Sequence, residues 1–463
     1  MIDVLIVLGA LTLLIAGAYR GYSVILLAPA AAMLAVLLID PSTVPAVFSG
    51  LFMEKLVGFV KLYFPVFMLG AVFGKLIEIS GFSSSLVATA MRIMGANRSM
   101  PAIVLVCALL TYGGVSLFVV VFAAYPFAAE MFRRADIPKR LIPGTIAVGA
   151  YTFTMDSLPG SPQIQNIIPT TFFGTTAWAA PLLGICGSLF ILVAGLLYLE
   201  RARRRALAAG EGYGSGHRNE PAAPETVVAH PLSALAPLLV VAGVNFALSR
   251  VIPTFYPAII ETRLPGLDHP ISTNIRAEAA VWAVEGALLA GILTVLVLAF
   301  GRIARRFADE ASGAIAGALL ASLNTASEYG FGAVIAALPG FAVIRAGLSA
   351  VPNPLLNEAV TITALAGVTG SASGGLSIAL GAMAGDFLAA ANAAGISPEV
   401  LHRVASMASG GMDTLPHNGA VITLLTVTGL THRQSYRDIL ALTGIKTLAV
   451  AVVILVYYLT GWN

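Results

Sequence analysis

Seven long apolar runs, separated by short polar or basic segments, set the pattern of this chain of 463 residues. As a helix, each run is long enough to cross about 30 Å of hydrocarbon at 1.5 Å per residue. The pattern predicts an all-α, multi-pass membrane protein with at least seven full crossings. No Lys or Arg precedes the first run, which continues directly into a second, so a retained span is predicted and not a cleaved signal peptide. The runs fall near 3–19, 21–39, 56–79, 177–200, 232–249, 278–300 and 439–460.

Composition supports the same class of protein. Hydrophobic residues make up 58% of the chain and charged residues 11%, against roughly 25% charged residues in a soluble domain. The mean hydropathy is +0.90. Cys107 and Cys186 both fall in apolar segments, so a disulfide framework is not expected and each is predicted to be a small core residue.

Inside this apolar background one phrase occurs twice, as Met-Asp-Ser-Leu-Pro at 155–159 and as Met-Asp-Thr-Leu-Pro at 412–416. A carboxylate followed by a hydroxyl and a proline is unfavourable inside a membrane helix, so its repetition indicates a duplicated function. The Gly-Phe pair at 81–82 recurs at 340–341, at nearly the same offset from the phrase. The chain is therefore predicted to consist of two related halves.

Basic residues concentrate in loops that would share one side of the membrane, which the positive-inside rule assigns to the cytoplasm. Both termini are then expected on the external side. The segment with Asp156 runs outward from the basic turn at 133–140, whereas the segment with Asp413 runs inward to the basic turn at 432–437. The halves are thus predicted to be inverted repeats, related by an axis in the membrane plane, as in many transporters.

Each half also has a segment that fits a re-entrant helical hairpin better than a simple span. At 100–131 and 357–390, apolar runs flank centres rich in Gly, Ser and Thr at 111–116 and 369–375. Each arm is too short to cross alone, while Gly permits a tight turn and Ser or Thr can bond the freed backbone groups. The alternative is one long helix whose small residues form a close packing interface.

The repeated phrase marks the other irregular segments. Proline removes a helical hydrogen bond, so Pro159 and Pro416 are predicted to interrupt helices at 138–175 and 398–428. A helix broken at mid-bilayer exposes backbone N–H groups at the positive end of a helix dipole, which suit a carboxylate anion. Two hairpin tips and two broken helices are therefore expected to converge on one central site that needs no Lys or Arg.

These features divide the chain into consecutive parts. The polar, Gly- and Pro-containing linker is expected to be a flexible tether, although a regulatory site there stays possible. The predicted parts are N-terminal transmembrane helices at 1–55, a first inverted repeat at 56–205, a cytoplasmic linker at 206–230, connecting transmembrane helices at 231–311, and a second inverted repeat at 312–463.

The Gly-Ser-Ala tip at 370–372, the Met-Asp-Thr-Leu-Pro-His-Asn-Gly run at 412–419 and the two-hairpin layout resemble the gluconate permease family of proton symporters, within the ion-transporter superfamily. The resemblance implies proton symport, a homodimer and an elevator-like movement of the hairpin-bearing domain. Members of that family carry gluconate and other sugar acids, D-serine, or short hydroxy acids such as 3-hydroxybutyrate. Sugar-acid members have an arginine four residues before this Gly-Ser-Ala, where this chain has Ala366, which favours a smaller monocarboxylate.

Candidate substrate-binding residues cluster at the hairpin tips and helix breaks. Their polar side chains and backbone N–H groups suit a substrate carboxylate or hydroxyl, and many of them are equally suited to cap the broken helix ends. They are Thr111, Gly113, Gly114, Ser116, Ser157, Thr369, Gly370, Ser371, Ser373, Gly374, Thr414, His417 and Asn418.

Proton coupling requires an acid that changes its protonation state, and acids inside membrane segments are functional candidates. A structural role at the helix breaks, accepting backbone N–H groups, is the alternative for Asp156 and Asp413. His417 is a further candidate because imidazole titrates near neutral pH. The candidates for coupling are Glu328, Asp413 and Asp156, ahead of Asp386 and Glu285.

The sequence therefore predicts a proton-coupled symporter that takes up a small organic monocarboxylate across a bacterial inner membrane. A sodium-coupled carboxylate carrier and a passive organic-anion channel are the alternatives, since broken helices also coordinate sodium. The sequence contains no phosphate-binding Gly-Lys motif, intramembrane protease motif or zinc helix, so an enzyme or ATP-driven pump is not expected. The expected partners are the organic anion, protons, membrane lipid and a second copy of the chain, with no nucleic acid, cofactor or metal.

Overall fold

The described structure covers most of the chain. The computed structural model describes residues 2–20, 22–95, 98–221, 229–266, 268–304, 306–348, 351–416 and 418–463. The candidate residue His417 lies outside these ranges.

The N-terminal part and the first half are helical almost throughout their described residues. The N-terminal part contains α1 (Ile2–Tyr19), α2 (Val24–Ile39), α3 (Val44–Val47) and α4 (Met53–Ile79), with a 3-10 turn at Pro41–Thr43 and a π-helical turn at Phe48–Phe52. The first half continues with α5 (Phe82–Met94), α6 (Ser99–Tyr112), α7 (Leu117–Arg134), α8 (Leu141–Ala150), α9 (Phe153–Asp156), α10 (Ile164–Phe173) and α11 (Pro181–Ala208).

A connecting part and the second half follow the linker. The connecting part contains α12 (Pro231–Phe255), strands β1 (Ile259–Thr262) and β2 (Ile271–Asn274), and helix α13 (Ile275–Ile303). The second half contains α14 (Phe307–Ala337), α15 (Pro339–Leu348), α16 (Pro354–Thr369), α17 (Ala372–Ala393), α18 (Pro398–Gly410), a 3-10 turn at Gly411–Thr414, α19 (Gly419–Thr428) and α20 (His432–Thr460). The antiparallel pair of β1 and β2 is a small addition to the predicted all-α fold.

Six helices of the described structure are long and apolar enough to cross a membrane, or seven if α14 and α15, which are bent by 89° at their junction, count as one span. Helices occupy most of the described residues in each of the seven predicted runs, although the described apolar parts of α1 and α2 are shorter than this criterion requires. The chain is a multi-pass helical membrane protein. The six stretches are Pro41–Ile79, Pro181–Ala208, Pro231–Phe255, Ala277–Ile303, Ala372–Ala393 and His432–Thr460.

The two predicted hairpins are present as pairs of packed helices joined by short turns. Helices α6 and α7 are joined through Gly113–Ser116, where Gly114 has a φ of +93°. Helices α16 and α17 are joined through Gly370, with a φ of +66°, and Ser371. The expectation that each arm is too short to span fails for α17, which has 22 residues. This helix packs inside the protein: in its most apolar stretch of 18 residues, 56% of the residues are buried.

The second hairpin depends on a close approach of its two arms near the tip. A Cβ atom on Gly375 would collide with the backbone of Ala366 on the opposite arm, whereas a Cβ on Gly385 of the same helix would meet no atom within 4 Å. We expect Gly375→Ala to lower the free energy of unfolding by about 1–3 kcal/mol, the usual cost of overpacking. Thermal unfolding of the detergent-purified protein measures the effect. Gly385→Ala is the matched control, and equal stability of both variants would contradict the close approach.

The helix breaks predicted at the repeated phrase are also present. In the first half, α8 ends at Ala150, α9 is a single turn, and α10 starts only at Ile164. The loop between them turns at Gly160, where a φ of +79° and contact with the Trp178 ring exclude a larger residue. In the second half, the 3-10 turn after α18 leads to Asn418, which precedes α19. Each half thus contains a hairpin, a broken helix and a long helix in the same order.

Candidate functional site

One cavity of about 900 Å³ lies where the hairpin tips and the helix breaks meet. Helix α14 supplies a further part of its wall. The lining residues from these elements include Gly114 and Ser116 of the first tip, Gln163, Ile164 and Gln165 of the first break, Thr369, Gly370, Ser371 and Ser373 of the second tip, Asp413, Asn418 and Gly419 of the second break, and Asn324, Thr325 and Glu328 of α14. The predicted convergence of these elements is therefore present.

Four helix N-termini point at this cavity. The residues that directly precede α7, α10, α17 and α19 are Ser116, Gln163, Ser371 and Asn418, and all four line the cavity wall. The first backbone N–H groups of a helix lack partners within the helix, and the helix dipole places partial positive charge at that end. Main-chain dipoles therefore contribute positive potential to a cavity whose wall also includes the acidic side chains of Asp413, Glu328 and Glu310.

The second tip and the second break are tied together by Asp413 and Asn418. The Asn418 side-chain amide donates to the Asp413 carboxylate at 2.9 Å and to the backbone oxygen of Gly370 at 2.9 Å. The Asp413 carboxylate also accepts from the backbone N–H of Ala372 at 3.4 Å. Ser371 caps α17 by accepting from the Gly374 N–H at 3.0 Å. These groups cap helix ends and line the cavity, so the two predicted roles coincide here.

The first tip and the first break are held by equivalent but different bonds. The Tyr112 hydroxyl donates to the backbone oxygen of Pro159 at 2.9 Å. The Gln163 amide donates to the backbone oxygen of Thr111 at 2.7 Å. In each half, hydrogen bonds therefore hold the hairpin tip against the broken helix.

Glu328 brings a carboxyl group to the second tip from α14. Its side chain is 4% exposed, and a Cβ atom on Gly374 would overlap the Glu328 carboxyl group, so this glycine is required for the approach. The neighbouring hydroxyls of Thr325 and Ser373 lie 3.3 Å apart across the same contact. Asn324, Thr325 and Glu328 thus face the cavity from an unbroken helix.

The two aspartates of the repeated phrase have different environments. Asp413 lines the cavity, whereas Asp156 does not and forms an ion pair with Lys446 of α20 at 2.9 Å. Both side chains of this pair are 1% exposed. Lys446 also donates to the backbone oxygen of Tyr151 at 2.8 Å, and Ser157 donates to Asp156 at 2.7 Å. The duplication in sequence does not extend to a duplicated charge environment.

The predicted site residues fall into two groups. Those that line the cavity are Gly114, Ser116, Thr369, Gly370, Ser371, Ser373, Asn418, Asp413 and Glu328. Those that are described but do not line it are Thr111, Gly113, Ser157, Gly374, Thr414 and Asp156. Among the second group, Gly113 packs against Leu238, and the Thr414 hydroxyl bonds to that of Thr443 at 2.6 Å.

Sequence reasoning missed several polar residues of the site. Gln163 and Gln165 come directly after the Leu-Pro-Gly-Ser-Pro segment of the first break. Extending the candidate site by a few residues past this segment would have included both. Lys446 was visible as a single cation inside a long apolar run, and such residues are functional or structural candidates in membranes. Arg403, fully buried on α18, donates to the backbone oxygens of Asp156 and Ala179, which no local pattern indicates.

An ion-paired cluster of one lysine and two glutamates lies at one end of the cavity. Lys75 is the one cationic side chain on the wall formed by the described residues, and its ammonium group lies 3.0 Å from Glu310 and 3.1 Å from Glu78. These side chains are partly exposed, unlike the carboxyl group of Glu328 at the other end. Within the described ranges, no three His, Cys, Asp or Glu side chains form a set that could hold a metal ion.

The described part of the linker is held against the rest of the protein by ion pairs, so it is not a plain tether. Glu220 forms ion pairs with Lys139 at 2.9 Å and with Arg133 at 2.6 Å, and Glu211 pairs with Arg140 at 2.7 Å. Burial opposes the ionisation of Glu220, but its bonds to Lys139 and Arg133 outweigh burial and hold its pKa below the ordinary value. The segment thus connects the base of the first hairpin to the end of α19, through a bond from the Asn219 amide to the backbone oxygen of Thr426.

Comparison with known proteins identifies the class of this chain. No model of a known protein family matches it. The uncharacterized transporter YxjC of Bacillus subtilis (strain 168) is 55% identical to it over 470 residues, which cover 99% of each protein. The chain belongs to the transporter family of YxjC. The prediction that it is a carrier and not an enzyme agrees with this relative.

Two solved transporter structures share the fold. The YdaH transporter of Alcanivorax borkumensis superposes with a TM-score of 0.58 at 16% identity, covering 92% of this chain and 90% of that protein. MtrF of Neisseria gonorrhoeae, described as illuminating a class of antimetabolite efflux pumps, superposes with a TM-score of 0.56 at 14% identity, covering 91% and 85%. At these identities the likeness shows the fold alone, and the narrower resemblance to gluconate permeases stays a prediction.

Proposed function

We propose that this transporter is a proton-coupled symporter of the gluconate permease type that takes up a small organic monocarboxylate, with a short hydroxy acid such as 3-hydroxybutyrate preferred over gluconate. The observation that carries the proposal is the convergence of four helix N-termini on one cavity that also contains the Glu328 carboxyl group. The N-termini favour a bound carboxylate, and the acid supplies the group that takes up a proton.

Coupling follows from charge repulsion inside the cavity. Two negative charges about 5 Å apart repel each other by about 3 kcal/mol at an effective dielectric constant of 20. A substrate carboxylate near the second tip therefore favours the protonated form of Glu328, and a protonated Glu328 favours the substrate in turn. Proton and anion then bind together and leave together, which is the thermodynamic requirement for symport.

The absence of a cationic side chain at position 366 supports a small acid. Ala366, at the position where sugar-acid carriers of the resembling family have an arginine, is fully buried against the opposite hairpin arm at Gly375. A long cationic side chain would not fit between the two arms. Near the second tip, away from Lys75, the positive charge available for a carboxylate thus comes from main-chain dipoles, which suit one carboxylate with few hydroxyl groups.

Orientation and movement complete the proposal. With basic loops in the cytoplasm of a bacterial cell, Lys75 and Glu310 mark the cytoplasmic end of the cavity and both termini are external. The cavity is then open inward, the halves are inverted repeats, and each hairpin moves with its broken helix in an elevator-like step within a homodimer. The YdaH and MtrF structures are similar to this chain in fold alone. The proposed orientation and movement therefore rest on the charge distribution and on the family resemblance.

Uptake by proteoliposomes tests the proposal. With an inward proton gradient, radiolabelled 3-hydroxybutyrate should accumulate above its equilibrium distribution, and an uncoupler should abolish the accumulation. Accumulation driven by a sodium gradient alone would instead establish a sodium-coupled carrier. Uptake that never exceeds equilibrium under either gradient would establish a channel.

Gln165 is expected to distinguish a hydroxy acid from an unsubstituted acid. It lines the cavity, it is 5% exposed, and its side-chain carbonyl oxygen has no hydrogen-bond partner among the described residues. An acceptor in this position suits the hydroxyl of a substrate. We expect Gln165→Leu to weaken 3-hydroxybutyrate binding about tenfold, which corresponds to one hydrogen bond, and to leave butyrate binding unchanged. Thermal shifts with both acids measure the ratio, and equal weakening of both would show that Gln165 acts only on structure.

A further inference from the structure

A fully buried carboxyl group lies in the second hairpin, outside the cavity. Glu358 on α16 has 0% exposure, and neither of its carboxyl oxygens has a hydrogen-bond partner among the described residues. It is not among the residues that line the cavity. A carboxyl group without a bond or an ion pair inside a membrane protein is costly, so its presence requires an explanation.

Further unsatisfied polar groups occur on the same hairpin. Thr361, one helical turn after Glu358, is 1% exposed and its hydroxyl has no partner in the described structure. Ser377 on the opposite arm is 0% exposed with an equally unpartnered hydroxyl. The hairpin interior therefore has hydrogen-bonding capacity at three positions that the conformation described here does not use.

The position of Glu358 separates it from the tip. It precedes Gly370 by twelve residues, which corresponds to about 18 Å along a helix with a rise of 1.5 Å per residue. The Glu328 carboxyl group lies at the tip, beside Gly374. Glu358 and Glu328 thus occupy opposite ends of the hairpin arm.

The charged groups on neighbouring helices do not pair with Glu358. In the described structure, Asp386 of α17 pairs with Arg345, Arg403 of α18 donates to backbone oxygens near the first break, and Lys446 and Asp438 of α20 pair with Asp156 and Arg140. His402 of α18 bonds to Thr175 at 2.6 Å, and Asp413 accepts from Asn418. The other charged residues on the packed elements, Asp3, Glu399, His432, Arg433 and Arg437, form no hydrogen bond or ion pair with Glu358 either.

These observations determine the charge of Glu358. An ionised carboxylate in this fully buried position, with no cation and no donor among the described residues, would cost several kcal/mol more than the neutral acid. Glu358 is therefore neutral in this conformation and holds a proton on one carboxyl oxygen. If the hairpin moves so that water reaches this arm, hydration stabilises the ionised carboxylate. The O–H bond can then break, which releases the proton to solvent.

We propose that Glu358 is a second proton-binding site of this carrier, loaded in the conformation described here and unloaded when the second hairpin moves. The inference rests on the proposed proton symport and adds one proton to each transport cycle beyond the proton taken by the cavity. The Glu358 carboxyl group on the hairpin and the Glu328 carboxyl group of α14, beside the hairpin tip, would then be loaded and unloaded by the same movement.

The number of protons per substrate tests this inference. Reconstituted wild-type protein and Glu358→Gln are compared for proton flux, measured with an enclosed pH dye, and for radiolabelled 3-hydroxybutyrate flux. We expect Glu358→Gln to retain substrate exchange within about twofold, to move one proton fewer per substrate, and to accumulate roughly tenfold less substrate per pH unit of gradient. Glu54→Gln, the same change at an exposed acid of α4 that does not line the cavity, is the matched control and should keep the wild-type ratio.

Glu358→Asp guards against a defect that is merely structural, because it retains a carboxyl group in a shorter side chain. We expect it to keep the wild-type proton ratio and to shift only the pH midpoint of uptake. A reduced ratio in the glutamine variant and a normal ratio in the aspartate variant supports the second site. An unchanged ratio in Glu358→Gln, or the same loss in both variants, overturns it, whereas a wild-type protein that moves no protons overturns the proposed function itself.

Discussion

Glu328→Gln is expected to reduce concentrative uptake strongly while leaving substrate exchange intact. Glutamine has nearly the same shape as protonated glutamic acid, so it preserves the packing of the second tip against Gly374 but cannot release a proton. A gradient of one pH unit is worth about 1.4 kcal/mol, which supports roughly tenfold accumulation for one proton per substrate. We expect this part of the accumulation to be lost. Proteoliposomes under an imposed pH gradient provide the measurement.

Asp413→Asn provides the contrast that separates coupling from architecture. Asp413 holds the second tip to the second break through Asn418 and the Ala372 N–H, so its loss should reduce exchange as well as accumulation. Full proton-driven uptake by Glu328→Gln would show that Glu328 is not the coupling residue. If Asp413→Asn instead lost accumulation alone, the coupling role would pass to Asp413.

The sequence predicted local features of the backbone, such as turns and helix breaks, more readily than contacts between distant residues. Proline and glycine act on the backbone within a few residues, so the breaks at the repeated phrase and the turn at Gly370 could be predicted without any knowledge of tertiary structure. The sequence also predicted that two hairpin tips and two broken helices converge on one site. Its residues Gln163 and Gln165 were not predicted, because their contribution depends on where α10 begins.

Pairs that are distant in sequence account for most of what could not be predicted. The two copies of the repeated phrase look equivalent, yet Asp156 pairs with a lysine 290 positions away, and Asp413 forms no ion pair with any described residue. The linker looks like a tether by composition, but Glu220 finds two cations at the base of the first hairpin. Electrostatic complementarity of this kind is a property of the folded arrangement and leaves no periodic signal.

Lys446→Met is expected to destabilise the protein strongly, and this result would show that the lysine serves architecture. The Lys446–Asp156 pair is almost fully buried, and removing one partner leaves an uncompensated charge in a medium of low dielectric constant. Breaking such a pair typically costs about 3–5 kcal/mol. We expect a loss of this size in the free energy of unfolding, visible as a large fall in the midpoint of thermal unfolding of the detergent-purified protein.

The double variant Lys446→Met with Asp156→Asn should recover most of the lost stability, because neither charge is then buried alone. Lys61→Met, at an exposed lysine of α4, is the matched control and should change stability by less than about 0.5 kcal/mol. A Lys446→Met protein that is as stable as the wild type but no longer binds the organic acid would reverse the assignment. The lysine would then be a substrate-binding cation, and main-chain dipoles alone would not account for anion recognition in this carrier.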